Sequence, residues 1–210
     1  FKKQKDTTAY KIIADKFQKF KKENITIAFP KNTFYQDIYL DFTVDSGVAK
    51  IHTPSIALNK SYTLTFNVSK YTAQEKEQLY IANTEYAKYP RYVNTRKKDT
   101  TFYTTTKTLG KYTLKKDSLK PEVKILYIDN NQWITSAKTL KVKVSDVDSG
   151  IKNWRATIDD SWVLMQYNHK KGVLTYNFSD KILAGSKHIF KLALSDNVGN
   201  TTERSITFFK

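Results

Sequence analysis

Two stretches decide how this chain folds, Leu140-Lys-Val-Lys-Val144 and Ile189-Phe-Lys-Leu-Ala-Leu194. In both, apolar residues return at every second place, the period of a strand with one face buried and one in water. Around them, from Pro121 to the end, short alternating runs are separated by turn signals at roughly ten-residue spacing, the pattern of a β-sandwich. Seven strands are predicted: Glu122–Ile128, Thr139–Ser145, Trp154–Asp159, Trp162–Tyr167, Val173–Phe178, His188–Ser195 and Thr202–Phe209.

Upstream, residues 25–118 repeat the pattern less regularly. Strands are expected at Ile25–Phe29, Ile38–Val44, Tyr62–Val68, Leu79–Ala82, Thr100–Thr106 and Gly110–Leu114. Thr72-Ala-Gln-Glu75 has the spacing of a capping box and predicts a helical turn before Leu79. Asp117-Ser-Leu-Lys-Pro121 reads as a linker, because proline ends strand pairing and sets an extended entry into the next domain. Residues 1–24, with Tyr10, Ile12, Phe17 and Phe20 in no clean period, read as a connector able to pair as an edge strand. The expected fold is all-β: a connector (1–24) and two tandem immunoglobulin-like or fibronectin-III-like β-sandwiches (25–118 and 119–210). The chain's 210 residues suit two modules of about 100 residues each.

Composition bounds the function. Hydrophobic residues at 40% and aromatics at 14% let each half build a core. Without cysteine there are no disulfides, thiolate metal sites or cysteine nucleophile. No apolar run is long enough to span a membrane. Phe1 in place of an initiator Met, and a Lys-rich start without an apolar centre, read as part of a longer exported precursor whose signal lies upstream. The net charge of +16 attracts polyanions, but it comes from scattered lysines; Arg91, Arg96, Arg155 and Arg204 are the only arginines. Specific nucleic-acid readers favour clustered arginine and a motif, so an anionic envelope polymer is the better partner.

Several motifs, in order, resemble the regions downstream of the catalytic domain in M23-type zinc metallopeptidases of Bacteroidetes. They are Ile27-Ala-Phe-Pro-Lys-Asn-Thr-Phe-Tyr35, Leu109-Gly-Lys-Tyr-Thr-Leu-Lys-Lys-Asp117 with Pro121, Asp148-Ser-Gly-Ile151, Ile158-Asp-Asp-Ser-Trp162, Gly185-Ser-Lys-His188 and Asp196-Asn-Val-Gly-Asn200. The resemblance implies export and a peptidoglycan-hydrolysing parent, with zinc held only in an upstream domain.

Such a peptidase holds zinc through His-x-x-x-Asp and His-x-His. Here Ile56, Val173 and Leu192 come four places after His52, His169 and His188, and no two histidines are near in sequence. No Gly-x-Ser-x-Gly elbow is present either. This chain is therefore expected to have no catalytic residue and no cofactor of its own, calcium being the one ion its acidic loops could take. His52 and His169 read as exposed loop residues, and His188 as a structural hydrogen-bonder at a sheet edge.

Two sets of side chains are candidates for binding. Successive sandwich strands reverse direction, so the loops after the second and sixth strands emerge at one end. They carry Asp146, Asp148, Asp196, Asn197 and Asn200, and the first strand begins beside Asp117 at that same end. Calcium takes six to eight such oxygens. The alternative is that these side chains bond the backbone two residues on, as Asp and Asn do in turns. The second set is the strip Tyr80, Tyr86, Lys88, Tyr89, Arg91, Tyr92, Arg96, Lys97 and Lys98, whose aromatic faces suit sugar rings and whose cations suit carboxylates or phosphates. Within it Tyr86, Tyr89, Arg91, Tyr92 and Arg96 are the candidate ligand-binding residues, the alternative being a loop that folds its tyrosines onto the sandwich. Trp133, in a polar loop, reads as a further exposed ligand-binding aromatic, and Trp162 as core. The function these features point to is a non-catalytic accessory region that positions an upstream peptidase or binds peptidoglycan or another anionic envelope glycan. The alternative is a freestanding adhesion or glycan-binding module.

Overall fold

A computed structural model describes residues 9–210. The chain is all-β and divides into two compact units, one ending at Asp117 and one spanning Ser118–Lys210. No helix is long and apolar enough to cross a membrane among the described residues.

The first unit is a sandwich of two five-stranded sheets. One runs Arg96–Lys97, Thr101–Thr106, Tyr62–Asn67, Ile25–Phe29, Gln18–Lys22, and the other Phe42–Asp45, Val48–Ile51, Gly110–Lys116, Leu79–Asn83, Arg91–Tyr92. A short pair, Tyr10–Ile12 with Ile38–Leu40, adds to it. Alternation chooses the inner faces: Ile25, Ile27, Phe29, Tyr62, Leu64 and Phe66 from the first sheet meet Ala49, Ile51, Ile81 and Tyr112 from the second in one core. Part of the expected connector is therefore structural. Gln18–Lys22 pairs in register with Ile25–Phe29 as an edge strand, and Ile12 is buried, so the unit begins well before residue 25. The edge position explains its weak pattern, since such a strand buries only part of one face. Residues 1–8 of that connector lie outside the described residues.

The helical turn is Ala73–Gln78. Glu75 N–H donates to Thr72 Oγ1 at 3.2 Å and Thr72 N–H donates to Glu75 Oε2 at 2.8 Å, a complete capping box. These bonds from Thr72 hold the Glu75 carboxyl below its ordinary range. At the other end, Lys97 Nζ donates to the carbonyls of Lys76 and Glu77.

The second unit has the immunoglobulin connectivity. One sheet runs Glu122–Leu126, Thr139–Ser145, Val173–Asn177, Gln166–Asn168; the other runs Gln132–Trp133, Thr201–Phe209, Lys187–Asp196, Ile151–Ile158, Ser161–Val163. Apart from two short additions, this is the order first, second, fifth, fourth facing third, sixth, seventh. One addition is Gln132–Trp133, which pairs parallel to Thr201–Phe209 after the chain crosses from one sheet to the other. Leu140, Val142 and Val144 pack against Phe190, Leu192 and Leu194 in the core, as the two deciding stretches require.

The run expected as one strand from Trp162 to Tyr167 is two, in opposite sheets: Ser161–Val163 pairs with Ile151–Ile158, and Gln166–Asn168 with Val173–Asn177. Trp162 is consequently not core. It lies opposite Thr157 and is 57% exposed, whereas Val163 and Met165 are buried.

Candidate functional site

The aromatic strip folds into a hairpin whose turn walls a cavity on the first unit. Leu79–Asn83 returns as Arg91–Tyr92, with Ala82 opposite Tyr92 and Asn83 opposite Arg91. Within the intervening loop Tyr89 N–H donates to Tyr86 O at 2.9 Å, and Asn83 Oδ1 accepts from Glu85 N–H at 3.1 Å, so the loop is turned back on itself. The cavity has a volume of about 370 Å³. Tyr86, Tyr89, Arg91 and Tyr92 line it together with Glu85 and Tyr112.

Tyr86 and Tyr89 are exposed, and each carries a cation over its ring: Arg91 Cζ stands 6.0 Å from the Tyr86 centroid and Lys88 Nζ 5.5 Å from that of Tyr89. Glu85 Oε2 accepts from Lys111 N–H at 3.1 Å, which fixes a carboxylate in the wall. Tyr62 and the lining Tyr112 both donate to Thr108 O, at 3.0 and 2.6 Å. Burial, then the neighbouring Tyr112, pushes the Tyr62 phenol well above its ordinary value. The arrangement can hold a small polar ring against tyrosine faces, with one cation and one carboxylate at hand.

The rest of the strip goes elsewhere. Tyr80 is buried, its ring 5.7 Å from that of Tyr92. Arg96 does not join the cavity: between Tyr92 and Arg96 the chain changes sheets, and Arg96 pairs opposite Tyr103, whose ring lies 5.9 Å from its Cζ. Lys97 is occupied by the helix carbonyls. Trp133 is on the second unit, stacked on Phe209 with centroids 5.1 Å apart.

On the second unit the two acidic loops meet. Asn197 N–H donates to Gly150 O at 3.1 Å, its Nδ2 reaches Ser149 O at 2.8 Å, and carboxylate oxygens of Asp146 and Asp196 lie within 4.8 Å of one another. Each carboxylate also serves its own loop. Asp146 Oδ1 accepts from the N–H groups of Asp148 and Gly150. Asp196 Oδ1 accepts from those of Val198, Gly199 and Asn200 at 3.0, 2.7 and 2.9 Å, and its Oδ2 from Asn200 Nδ2 at 2.7 Å. Asn200 Nδ2 also donates to Leu119 O. Asp148 is half-buried. Asp117 ends the first unit, its N–H donating to Gln78 O.

The histidines are each committed separately. His52, expected in the open, has a side chain only 15% exposed, its Nδ1 3.3 Å from Asp41 Oδ2. His169 lies against the Tyr167 ring. His188 is fully buried with Nδ1 2.7 Å from Asp159 Oδ2, and its Nε2 has no partner among the described residues. Sequence reasoning missed the Asp159–His188 pair. Its members are 29 residues apart and meet because Ile158 pairs opposite Phe190.

Fold and site together define a two-domain β-sandwich chain with a small aromatic-walled cavity. Residues 9–117 match the Zu5-like domain family, and the chain belongs to it. No curated protein matches significantly. Among solved structures, the fibronectin(III)-like modules of Clostridium thermocellum CbhA are similar at 14% identity and a TM-score of 0.35, over 80% of this chain and 93% of that one. The endo-beta-1,4-mannanase from Thermotoga petrophila is similar at 12% identity and a TM-score of 0.36, over 44% of this chain. The match covers 20% of the mannanase.

Proposed function

We propose that the chain is a non-catalytic accessory region of an exported M23-type cell-wall peptidase, and that its first domain binds envelope polymer through the Tyr86–Tyr92 cavity. The observation that carries this reading is that loop: it leaves Tyr86 and Tyr89 exposed around a cavity with Arg91 and Glu85 in its wall. Sugar rings pack on aromatic faces, and fixed charges orient their substituents. Commitment of the three histidines to separate structural contacts supports a role without chemistry of its own. The motif resemblance to peptidase accessory regions supports the cell wall as the place where it works.

Cosedimentation of the full chain with purified peptidoglycan sacculi tests this. Wild type is expected in the pellet and a smaller share of the Tyr86→Ala/Tyr89→Ala variant, with no wall lysis on adding zinc. Wild type remaining soluble, or a variant that pellets equally well, refutes the binding; zinc-dependent lysis refutes the non-catalytic role.

A further inference from the structure

Where the second unit's chain leaves one sheet for the other, between Glu122–Leu126 and Gln132–Trp133, there is a separate cavity of about 340 Å³. Tyr127, Trp133, Gln132, Ser136, Lys138 and Lys141 are among the residues that line it. Tyr127 is 88% exposed and Trp133 64%, a large amount of aromatic surface left in water at one place. Phe209 stacks on Trp133 and steadies the indole.

The backbone at Tyr127 is the second observation. Its φ is +63°, in the left-handed region that Gly, Asn and Asp enter readily and a bulky side chain does not. The crossover needs such residues, and Asn131 fills the same role four positions later with φ +63°. At the other non-glycine positive-φ positions among the described residues stand Glu, Asn, Ser, His and Asp, so Tyr127 is the one tyrosine so held. Residues held in sparsely populated backbone regions cluster at ligand sites, and this exposed one lines a cavity.

The charge is one-sided. Lys138 and Lys141 line the cavity, no acidic residue does, and neither lysine has an ion-pair partner among the described residues. Gln132, Ser136 and Thr139 add an amide and hydroxyls.

We infer that this cavity is a binding site for an anionic saccharide, with sugar rings on Tyr127 and Trp133 and the acid groups at Lys138 and Lys141. A single-stranded nucleic acid also uses aromatics and lysines, but it requires a basic groove that tracks its backbone, and here two lysines stand at one compact cavity. The site is on another domain from the Tyr86–Tyr92 cavity and shares no residue with it, so either can fail alone.

The test titrates the full chain with an oligogalacturonate, its methyl ester and an oligothymidylate of equal length, by calorimetry and tryptophan emission. The acidic oligomer is expected to bind with a change in emission, and the neutral ester about tenfold or more weaker. Trp133→Ala and Lys141→Ala should each weaken the acidic oligomer by a similar factor, and Tyr86→Ala should not. Tyr127→Gly separates binding from folding: it relieves the backbone, so the melting temperature should hold or rise while binding is lost. No heat with the acidic oligomer at millimolar concentration overturns the proposal. Equal affinity for the ester, tighter binding of the oligothymidylate through Trp133, or full affinity in Tyr127→Gly would do so as well.

Discussion

Removing the Asp159 carboxylate should cost the second domain a large part of its stability. Asp159 accepts at both oxygens: Oδ2 takes His188 Nδ1 at 2.7 Å and Oδ1 takes Ile189 N–H at 2.8 Å. A carboxylate can only accept, so the His188 hydrogen is on Nδ1, inside a side chain with no exposed surface. Asp159→Ala leaves that buried donor without an acceptor, at about 1–3 kcal/mol. Placing Ala at a φ of +50° adds about 1 kcal/mol. Water can replace the exposed bond from the Ile189 amide, which adds little. The sum is about 2–4 kcal/mol, or about 10–20 °C in melting temperature for a domain of this size. Asp159→Asn, which tolerates the same φ and keeps one acceptor, should cost about half as much. All three tryptophans, Trp133, Trp154 and Trp162, belong to the second domain, so their emission reports its unfolding alone in the full chain. The loss must also depend on pH. Desolvation raises the Asp159 carboxyl, but the bonds from His188 and Ile189 and the charges of His188 and Lys181 outweigh it and hold it below its ordinary range. A carboxylate depressed in the folded state stabilises fully above its unfolded value of about 3.9 and stops doing so as pH falls through the lower folded value. The gap between wild type and Asp159→Asn should therefore be full near neutrality and close below about pH 3.9. A loss for Asp159→Ala below about 3 °C at neutral pH, or an Asn gap that survives undiminished in acid, would refute the reasoning.

Asp196→Ala should destabilise the second domain by about 2–4 kcal/mol in urea titration, because one carboxylate accepts four loop bonds. The loss should be the same with and without millimolar calcium if those bonds are its role; a loss confined to calcium-containing buffer would make it an ion ligand. Gly110→Ala should lower the first domain's calorimetric melting temperature and weaken its ligand together. The residue sits at φ +118°, and an added Cβ would come 2.8 Å from Glu85 Oε2 in the cavity wall. Asp160→Gly, in the hairpin turn where Asp159 and Asp160 both have positive φ, should stabilise by up to about 1 kcal/mol. A loss would mean that the exposed Lys191–Asp160 pair matters more than turn geometry.

The core was legible where one alternating set is apolar and the other polar, as in Leu140–Val144, because only one register buries it. It was misread at Trp162–Met165, where both sets are apolar and the chain also changes sheets; Val163 and Met165 went inside and Trp162 and Leu164 outside. Arg91–Tyr92 and Arg96–Lys97 are strands by pairing alone, too short to have a period. That is why Arg96 reads in sequence as a neighbour of Tyr86, Tyr89, Arg91 and Tyr92. Those four could be grouped because they share one hairpin, whereas Tyr127 carries no sequence sign of a left-handed backbone and Asp159 none of its distant histidine.

The outermost strands of the four large sheets are mostly very short. Arg96–Lys97, Arg91–Tyr92 and Gln132–Trp133 are two residues long, Ser161–Val163 and Gln166–Asn168 three, and Phe42–Asp45 four. Of the two five-residue outer strands, Gln18–Lys22 carries three lysines and Glu122–Leu126 a glutamate and a lysine. A neighbouring molecule finds few free amides in a row to pair with, and charge where the row is longest. Crowded copies of a chain whose regular structure is nearly all strand are thus kept from joining edge to edge into fibrils.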